Sequence, residues 1–188
     1  MARCYSAAMG KRQTKAGGVP RRVLLSDARN DAGLERALSR LARGDALVFR
    51  HYHLESGARR ARFLALRKSA VRRGIAMIGA RVPRGWAADG IYGSAREIAG
   101  QAGLRLATAH SLAEIGAAAR AGAHAILLSP VFPTRSHAGA PVLGAVRFLL
   151  LARRSPLPVI ALGGMTAARA ARLPVHGWAA IDGLVAKR

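Results

Sequence analysis

The sequence predicts an α/β chain folded as a compact (β/α)8 TIM barrel with a truncated eighth helix. Three observations carry this expectation. Apolar runs of four or five residues recur, each short enough to be a buried strand. Segments with helical spacing of leucine, valine and alanine lie between most of them. Polar residues and glycines gather just beyond the ends of the runs, where a parallel barrel opens its pocket.

Each element has its own justification. Val23–Ser26 is a first strand, and Leu34, Leu38 and Leu41 then recur at helical spacing, with Asp31 as the cap and Gly44 as the stop. Ala46–Phe49 is the second strand, followed by Ser56 capping a helix through Phe63, Leu66, Ala70 and Val71 to Gly74. Ile75–Ile78 is the third strand, and the segment up to Asp89 is too short for a long helix. Gly90–Gly93 is the fourth. Ser94 with Glu97, and Ser111 with Glu114, match the serine-x-x-glutamate start of a helix, and Leu104–Ala107 between them is the fifth strand. Ala125–Leu128 is the sixth, with Val146, Leu149 and Leu150 on the helix after it. Val159–Leu162 and Trp178–Ile181 complete the set, leaving Asp182–Arg188 for barely two turns of an eighth helix. That is roughly 21 residues per unit, a stripped barrel against the usual size of about 250. An open doubly wound sheet is the competing fold, but no glycine-rich fingerprint follows the first strand.

Residues 22–188 are therefore expected to form one domain. Residues 1–21, basic and without a carboxylate, are expected to be a flexible tail. Hydrophobic residues make up 51% and aromatics 5%, so the core is aliphatic. Lysine and arginine outnumber acids 31 to 9, a net charge of +22 that favours anionic partners without choosing among them. Base-stacking aromatics do not interleave with the arginines, so nucleic acid is not the expected partner. Cys4 stands alone, which excludes an intramolecular disulfide or a cysteine-rich zinc site. No apolar run approaches the roughly 20 residues of a membrane span, and the first residues make a poor secretory signal. A cytoplasmic protein with no membrane partner is the expectation, and a homodimer is left open.

Barrel geometry puts Asp27, Arg50, His51, Tyr52, His53, Gly79, Arg81, Ser94, Thr108, His110, Ser129, Thr134, His137, Gly163, Gly164 and Asp182 around one mouth. Gly163-Gly164 before Thr166 is the strongest local pattern. Glycines let a phosphate oxygen approach backbone N–H groups, and a helix N-terminus adds partial positive charge. A tight turn uses glycine equally well, so the dipeptide alone is open between the two. Histidine is the side chain best suited to exchanging protons near neutrality, and His110 is the candidate for moving them. His51, His53 and His137 lack tight ligand spacing, and no metal site is assigned to them.

Ser129-Pro130-Val131-Phe132-Pro133-Thr134 resembles the glycine-proline-valine-phenylalanine-proline-threonine loop of the thiamine phosphate synthases and the related TenI-like thiazole tautomerases. Thr108-Ala109-His110-Ser111, Pro141-Val142-Leu143-Gly144 and Val159-Ile160-Ala161-Leu162-Gly163-Gly164-Met165 are similar to further motifs of that superfamily, and Arg50 matches the arginine of its second-strand motif. The resemblance implies a (β/α)8 barrel that holds a thiazole phosphate on backbone amides, here Gly163, Gly164, Ile181 and Asp182. It implies a catalytic role for His110 and substrate contacts for Arg50, Thr108, Ser129, Thr134 and His137. The synthases also use magnesium to join a pyrimidine diphosphate to that thiazole phosphate. Here Gly79-Ala80 replace the asparagine-aspartate after strand three, Arg96 replaces a second aspartate, and Val48, Tyr52 and His137 replace a glutamine and two lysines. Asp182 replaces a serine, and its carboxylate must turn away or pair with Arg188 or another arginine. The implied activity is that of a tautomerase, with no cofactor. Two alternatives are a divergent synthase, for which magnesium would be needed, and a non-catalytic barrel that carries a phosphorylated ligand.

Overall fold

Eight parallel strands pair in chain order and close on themselves. They are β1 (Arg22–Leu25), β2 (Ala46–Phe49), β3 (Ala76–Gly79), β4 (Gly90–Gly93), β5 (Leu104–Ala109), β6 (Ala125–Leu128), β7 (Val159–Ala161) and β8 (Gly177–Ala180). The structure is a computed structural model and describes residues 18–135, 139 and 141–184. Closure is β8 against β1, with Val23 beside Ala179 and Leu24 beside Ala180. The open-sheet alternative is thereby excluded.

Strand side chains alternate between two faces, and both faces here are buried. Val23, Leu25, Val48, Ile78, Leu106, Leu127 and Ile160 fill the barrel interior. Their neighbours Leu24, Leu47, Phe49 and Met77 face outward onto Leu34 and Leu38 of α1 (Leu34–Ser39) and Phe63 and Leu66 of α2 (Ser56–Arg73). A second outer layer joins Ile126, Leu128 and Val159 to Ile98 of α3 (Ala95–Ile98), Ile115 of α4 (Leu112–Arg120) and Phe148 of α5 (Gly144–Arg153). Strand three is followed only by a 3-10 turn at Arg84–Trp86, and α6 (Ala167–Ala170) is a single turn.

Several local expectations change. Asp31 does not cap the first helix. Asp27 does, in a capping box with Asn30 that opens a 3-10 helix at Ala28–Gly33, and α1 follows directly. This frees the Asp31 carboxylate for partners on other elements. Ser56 is the first residue of α2, with Glu55 in the cap position, whereas Gly74 ends that helix in the left-handed conformation as expected. Gly44 lies beyond the end of α1, in the turn before β2. Ser94 and Glu97 form the reciprocal box. Ser111 caps α4, but Glu114 turns its carboxylate to the His110 N–H instead of back to Ser111. On α5 the buried residue is Phe148, while Val146 and Leu150 face solvent. Order at the N-terminal end precedes Arg22, because the Val19 carbonyl accepts from His176 and the Arg21 carbonyl from Trp178. The predicted flexible tail through residue 17 and the last residues of the truncated eighth helix lie outside the described residues.

One buried side chain fastens the barrel seam at its upper end. The Asn30 amide donates to the Leu25 carbonyl at the end of β1 and to the Ile181 carbonyl just after β8, both at 2.9 Å. Its oxygen accepts the Asp27 N–H at 2.8 Å. Every Asn30 polar atom is thus used, and truncation would leave buried carbonyls without donors. Asn30→Ala is expected to lower unfolding stability by about 2 kcal/mol, read from the urea midpoint. An unchanged midpoint would mean the seam holds without it.

Candidate functional site

The strand ends open onto a cavity of about 750 Å³. It is lined by Arg50, Thr108, His110, Ser129, Thr134, Gly163, Gly164, Ile181 and Asp182, all singled out in the sequence. His137 lies outside the described residues. Tyr52 also reaches the cavity wall. Asp27 and His51 belong to the β1–β2 side without lining the cavity, and Gly79, Arg81 and Ser94 belong to the β3–β4 edge. Lining residues given no role from the sequence include Tyr92, Arg135 and Gly183.

The wall below β6 and β7 is built by backbone pairing between their loops. After the cis Ser129–Pro130 bond, Val131 N–H donates to the Leu162 carbonyl at 2.9 Å and Phe132 N–H to the Gly163 carbonyl at 3.1 Å. Gly163 and Gly164 both have positive φ, +96° and +60°. A Cβ on Gly163 would lie 2.8 Å from Pro130 Cα, and one on Gly164 would lie 2.5 Å from the Pro133 carbonyl oxygen. Glycine is therefore required twice over, by conformation and by close approach. Gly183 lies equally close, its missing Cβ 2.1 Å from the Met165 carbonyl, so the β8 loop packs on the β7 loop. Arg169 donates to the Gly164 carbonyl and lies over the Phe132 ring. Among the described residues, the N–H groups of Gly163, Gly164, Ile181 and Asp182 take part in no hydrogen bond. Thr166 caps α6, but that helix is one turn long, so its dipole adds little.

On the β5–β6 side, the His110 ring nitrogen Nδ1 lies 2.7 Å from the Ser129 carbonyl oxygen. A carbonyl only accepts, so Nδ1 carries the hydrogen and Nε2 of the neutral ring is left as the base. The Glu114 carboxylate accepts the His110 backbone N–H at 2.6 Å and fixes the residue from behind. Thr108 Oγ1 leans toward the Gly93 carbonyl at 3.5 Å, and the Ser129 hydroxyl lies 3.4 Å from His110 Nδ1.

The β1–β2 side is an ionic wall. Asp27 faces Arg29 at 2.9 Å and Arg50 at 3.7 Å. Burial pushes the Asp27 carboxyl up, but the two arginines outweigh it and hold it below its ordinary value. Asp182 pairs with Arg29 at 4.0 Å, which supplies the arginine its position calls for. Behind this wall the fully buried Ser26 and His51 form a chain. The Ser26 hydroxyl accepts the Arg50 N–H and meets His51 Nδ1, each at 2.8 Å. His51 Nε2 meets Asp31 at 2.8 Å, and Asp31 also accepts from Arg62. Burial, against the pull of Asp31, leaves His51 below its ordinary value.

The β3–β4 edge carries cations. The Arg59 guanidinium donates to the Ala80 and Arg81 carbonyls and stands 5.6 Å from the Tyr52 ring. Arg81 covers the same ring and binds Glu97 at 2.9 Å. Magnesium wants carboxylate oxygens, and this edge does not fit it. A Cβ on Gly79 would lie 2.1 Å from Val82 Cγ2, leaving no room for a ligand side chain, and the Glu97 carboxylate is already engaged by Ser94 and Arg81. No three of His, Cys, Asp and Glu converge among the described residues.

Sequence comparisons point to one family, and structural ones to a shared fold. The sequence profile described as thiamine monophosphate synthase matches residues 24–184. A thiamine-phosphate synthase of Myxococcus xanthus (strain DK1622) is 42% identical over 72 residues, 38% of this chain. The match spans 33% of that relative's length. Thiamine phosphate pyrophosphorylase from Pyrococcus furiosus superposes with a TM-score of 0.73 at 22% identity, over 92% of this chain and 90% of that one. The enoyl reductase domain of MlnA from Bacillus amyloliquefaciens gives 0.53 at 11% identity, over 90% of this chain and 55% of that one. At these identities the two structural likenesses concern the fold.

The buried histidine gives the protein an acid-side weakness. In the unfolded chain His51 takes a proton near its ordinary value of 6.5, whereas in the folded chain it resists protonation to lower pH. The unfolded state therefore binds more protons in that window, and stability falls as pH drops below about 6.5. The decline ends once the folded histidine also titrates. His124, likewise depressed by burial, adds its own part. Urea unfolding between pH 7 and pH 5 is expected to show this decline, and His51→Gln to flatten it. Equal slopes in the two proteins would contradict the assignment.

Proposed function

Because the chain belongs to the thiamine monophosphate synthase family, we propose that its mouth binds a thiazole phosphate and isomerises it in the manner of a TenI-like tautomerase. One observation carries the reading. The cavity joins the uncommitted amides after β7 and β8 to a histidine whose tautomer is fixed by a carbonyl, while the edge where a magnesium diphosphate would sit holds arginines.

In this reading the Gly163, Gly164, Ile181 and Asp182 N–H groups receive the phosphate oxygens, as backbone amides do at anion sites. The close packing of the β6, β7 and β8 loops keeps those amides in place before the ligand arrives. Asp182 is restrained beside Arg29, which lowers its repulsion of the incoming phosphate. His110 Nε2 removes a proton from one ring position, and the proton returns at another, so the net reaction consumes none. The Ser129 carbonyl favours the imidazolium that forms in between, because the hydrogen bond it accepts from Nδ1 strengthens when the ring is charged. The +22 net charge draws an anionic ligand inward and speeds encounter.

A synthase reading stands second, since the two thiamine-related proteins matched are named as a synthase and a pyrophosphorylase. It asks the cavity cations, Arg50 and Arg135, to neutralise a diphosphate in place of a metal. Pyrophosphate release from the two thiamine precursors, with and without magnesium, separates the readings. None is expected beyond the uncatalysed rate. For the tautomerase reading, His110→Ala is expected to lower turnover by about 10²- to 10⁴-fold with thiazole phosphate affinity retained. Full activity in that variant would refute the role of His110, and tight binding without turnover in the native protein would make it a carrier.

A further inference from the structure

Tyr92 is the polar side chain of the cavity that nothing in the fold requires. It lies on β4, beside Leu106 of β5, and its ring belongs to the barrel interior with Val48, Ile78 and Leu127. Only 9% of the residue is exposed, and what is exposed faces the cavity. Among the described residues its hydroxyl has no hydrogen-bond partner. A buried phenol ordinarily finds one. The Tyr92 oxygen is also not enclosed: among the described residues, the fully buried side-chain polar atom that lacks a partner is Arg59 Nε. The hydroxyl therefore opens toward the space a ligand would fill.

Its place in the ring of strands gives the direction. In a closed barrel of eight strands in chain order, β4 stands across the mouth from β8. A phosphate held at the β7 and β8 exits would send the rest of its molecule toward β4. We infer that Tyr92 is a specificity-determining residue, whose hydroxyl donates a hydrogen bond to an acceptor atom on the ring end of the ligand, opposite its phosphate. The inference rests on the phosphate site proposed above.

The chemistry of the group selects the ligand class. Burial pushes the Tyr92 hydroxyl up to about 12, against the pull of nearby Arg50, so it is a neutral donor under any working condition. Arg50, close enough to pull on the phenol, also only donates, and the nearby Glu97 carboxylate is already engaged by Ser94 and Arg81. This end of the cavity therefore suits a heteroaromatic with a ring nitrogen or oxygen acceptor. A purely hydrocarbon ring would leave the phenol unpaired, and such mismatches discriminate strongly.

Tyr92→Phe removes the one atom and keeps the ring. Binding is measured by calorimetry for thiazole phosphate and for ethyl phosphate, which has the anion but no ring, alongside the melting temperature of the unliganded protein. The native protein is expected to bind both, and the variant to bind thiazole phosphate about tenfold more weakly with ethyl phosphate unchanged. Because the hydroxyl has no partner among the described residues, the unliganded variant is expected to melt no lower than the native protein. Equal affinity for thiazole phosphate in the two proteins would overturn the assignment of Tyr92 alone. A lower melting temperature with both affinities unchanged would make the hydroxyl structural and overturn it as well. Failure of the native protein to bind either phosphate would overturn the phosphate site, and this inference with it.

Discussion

The pairing of the β6 and β7 exit loops is the constraint on which the mouth depends. Val131 and Phe132 donate to the carbonyls of Leu162 and Gly163, so two segments more than 30 residues apart run as one short ribbon beyond the barrel. That ribbon orients the amides of the double glycine and sets the Ser129 carbonyl where it holds the His110 ring. Close approach is possible only because residues 163 and 164 lack side chains. The proposed anion anchor and the proposed proton carrier are therefore parts of one hydrogen-bonded unit. Pre-set donors of this kind need little reorganisation when charge arrives.

Around this unit the protein arranges an unusual excess of cations. Arginines serve as structural plugs: Arg59 bonds the loop after β3, Arg62 ties α2 to Asp31, and Arg29 restrains both Asp27 and Asp182. Most acids at the mouth are thus neutralised by arginines. Exposed pairs of this kind contribute little to stability. The excess of cations instead acts over distance, attracting anions toward the protein.

Much of the fold was legible in the chain because its strands are short apolar runs bounded by glycine, proline and polar residues, and all eight lie within two residues of where the pattern put them. The cavity lining was legible for the same reason, since a barrel gathers whatever follows its strands. The misreadings are long-range. Asp31 looked like a cap because its local spacing suits one, but its partners His51 and Arg62 lie 20 and 31 residues away. Asn30 joins the carbonyl that ends β1 to one just after β8, 151 residues distant, which no local pattern records. Tyr92 sits within a four-residue strand of glycine, isoleucine and tyrosine, too short for alternation to show which face is interior. Pairings set by closure of the barrel are visible only once it closes.

The central claim is that backbone amides at the β7 and β8 exits hold a single phosphate within reach of His110. A crystal structure of the protein soaked with thiazole phosphate tests it most directly. The account predicts the phosphate on the N–H groups of Gly163, Gly164, Ile181 and Asp182, with the ring beside His110 Nε2. A phosphate seated instead among Arg50, Arg59 and Arg81, with the glycine amides facing solvent, would contradict it.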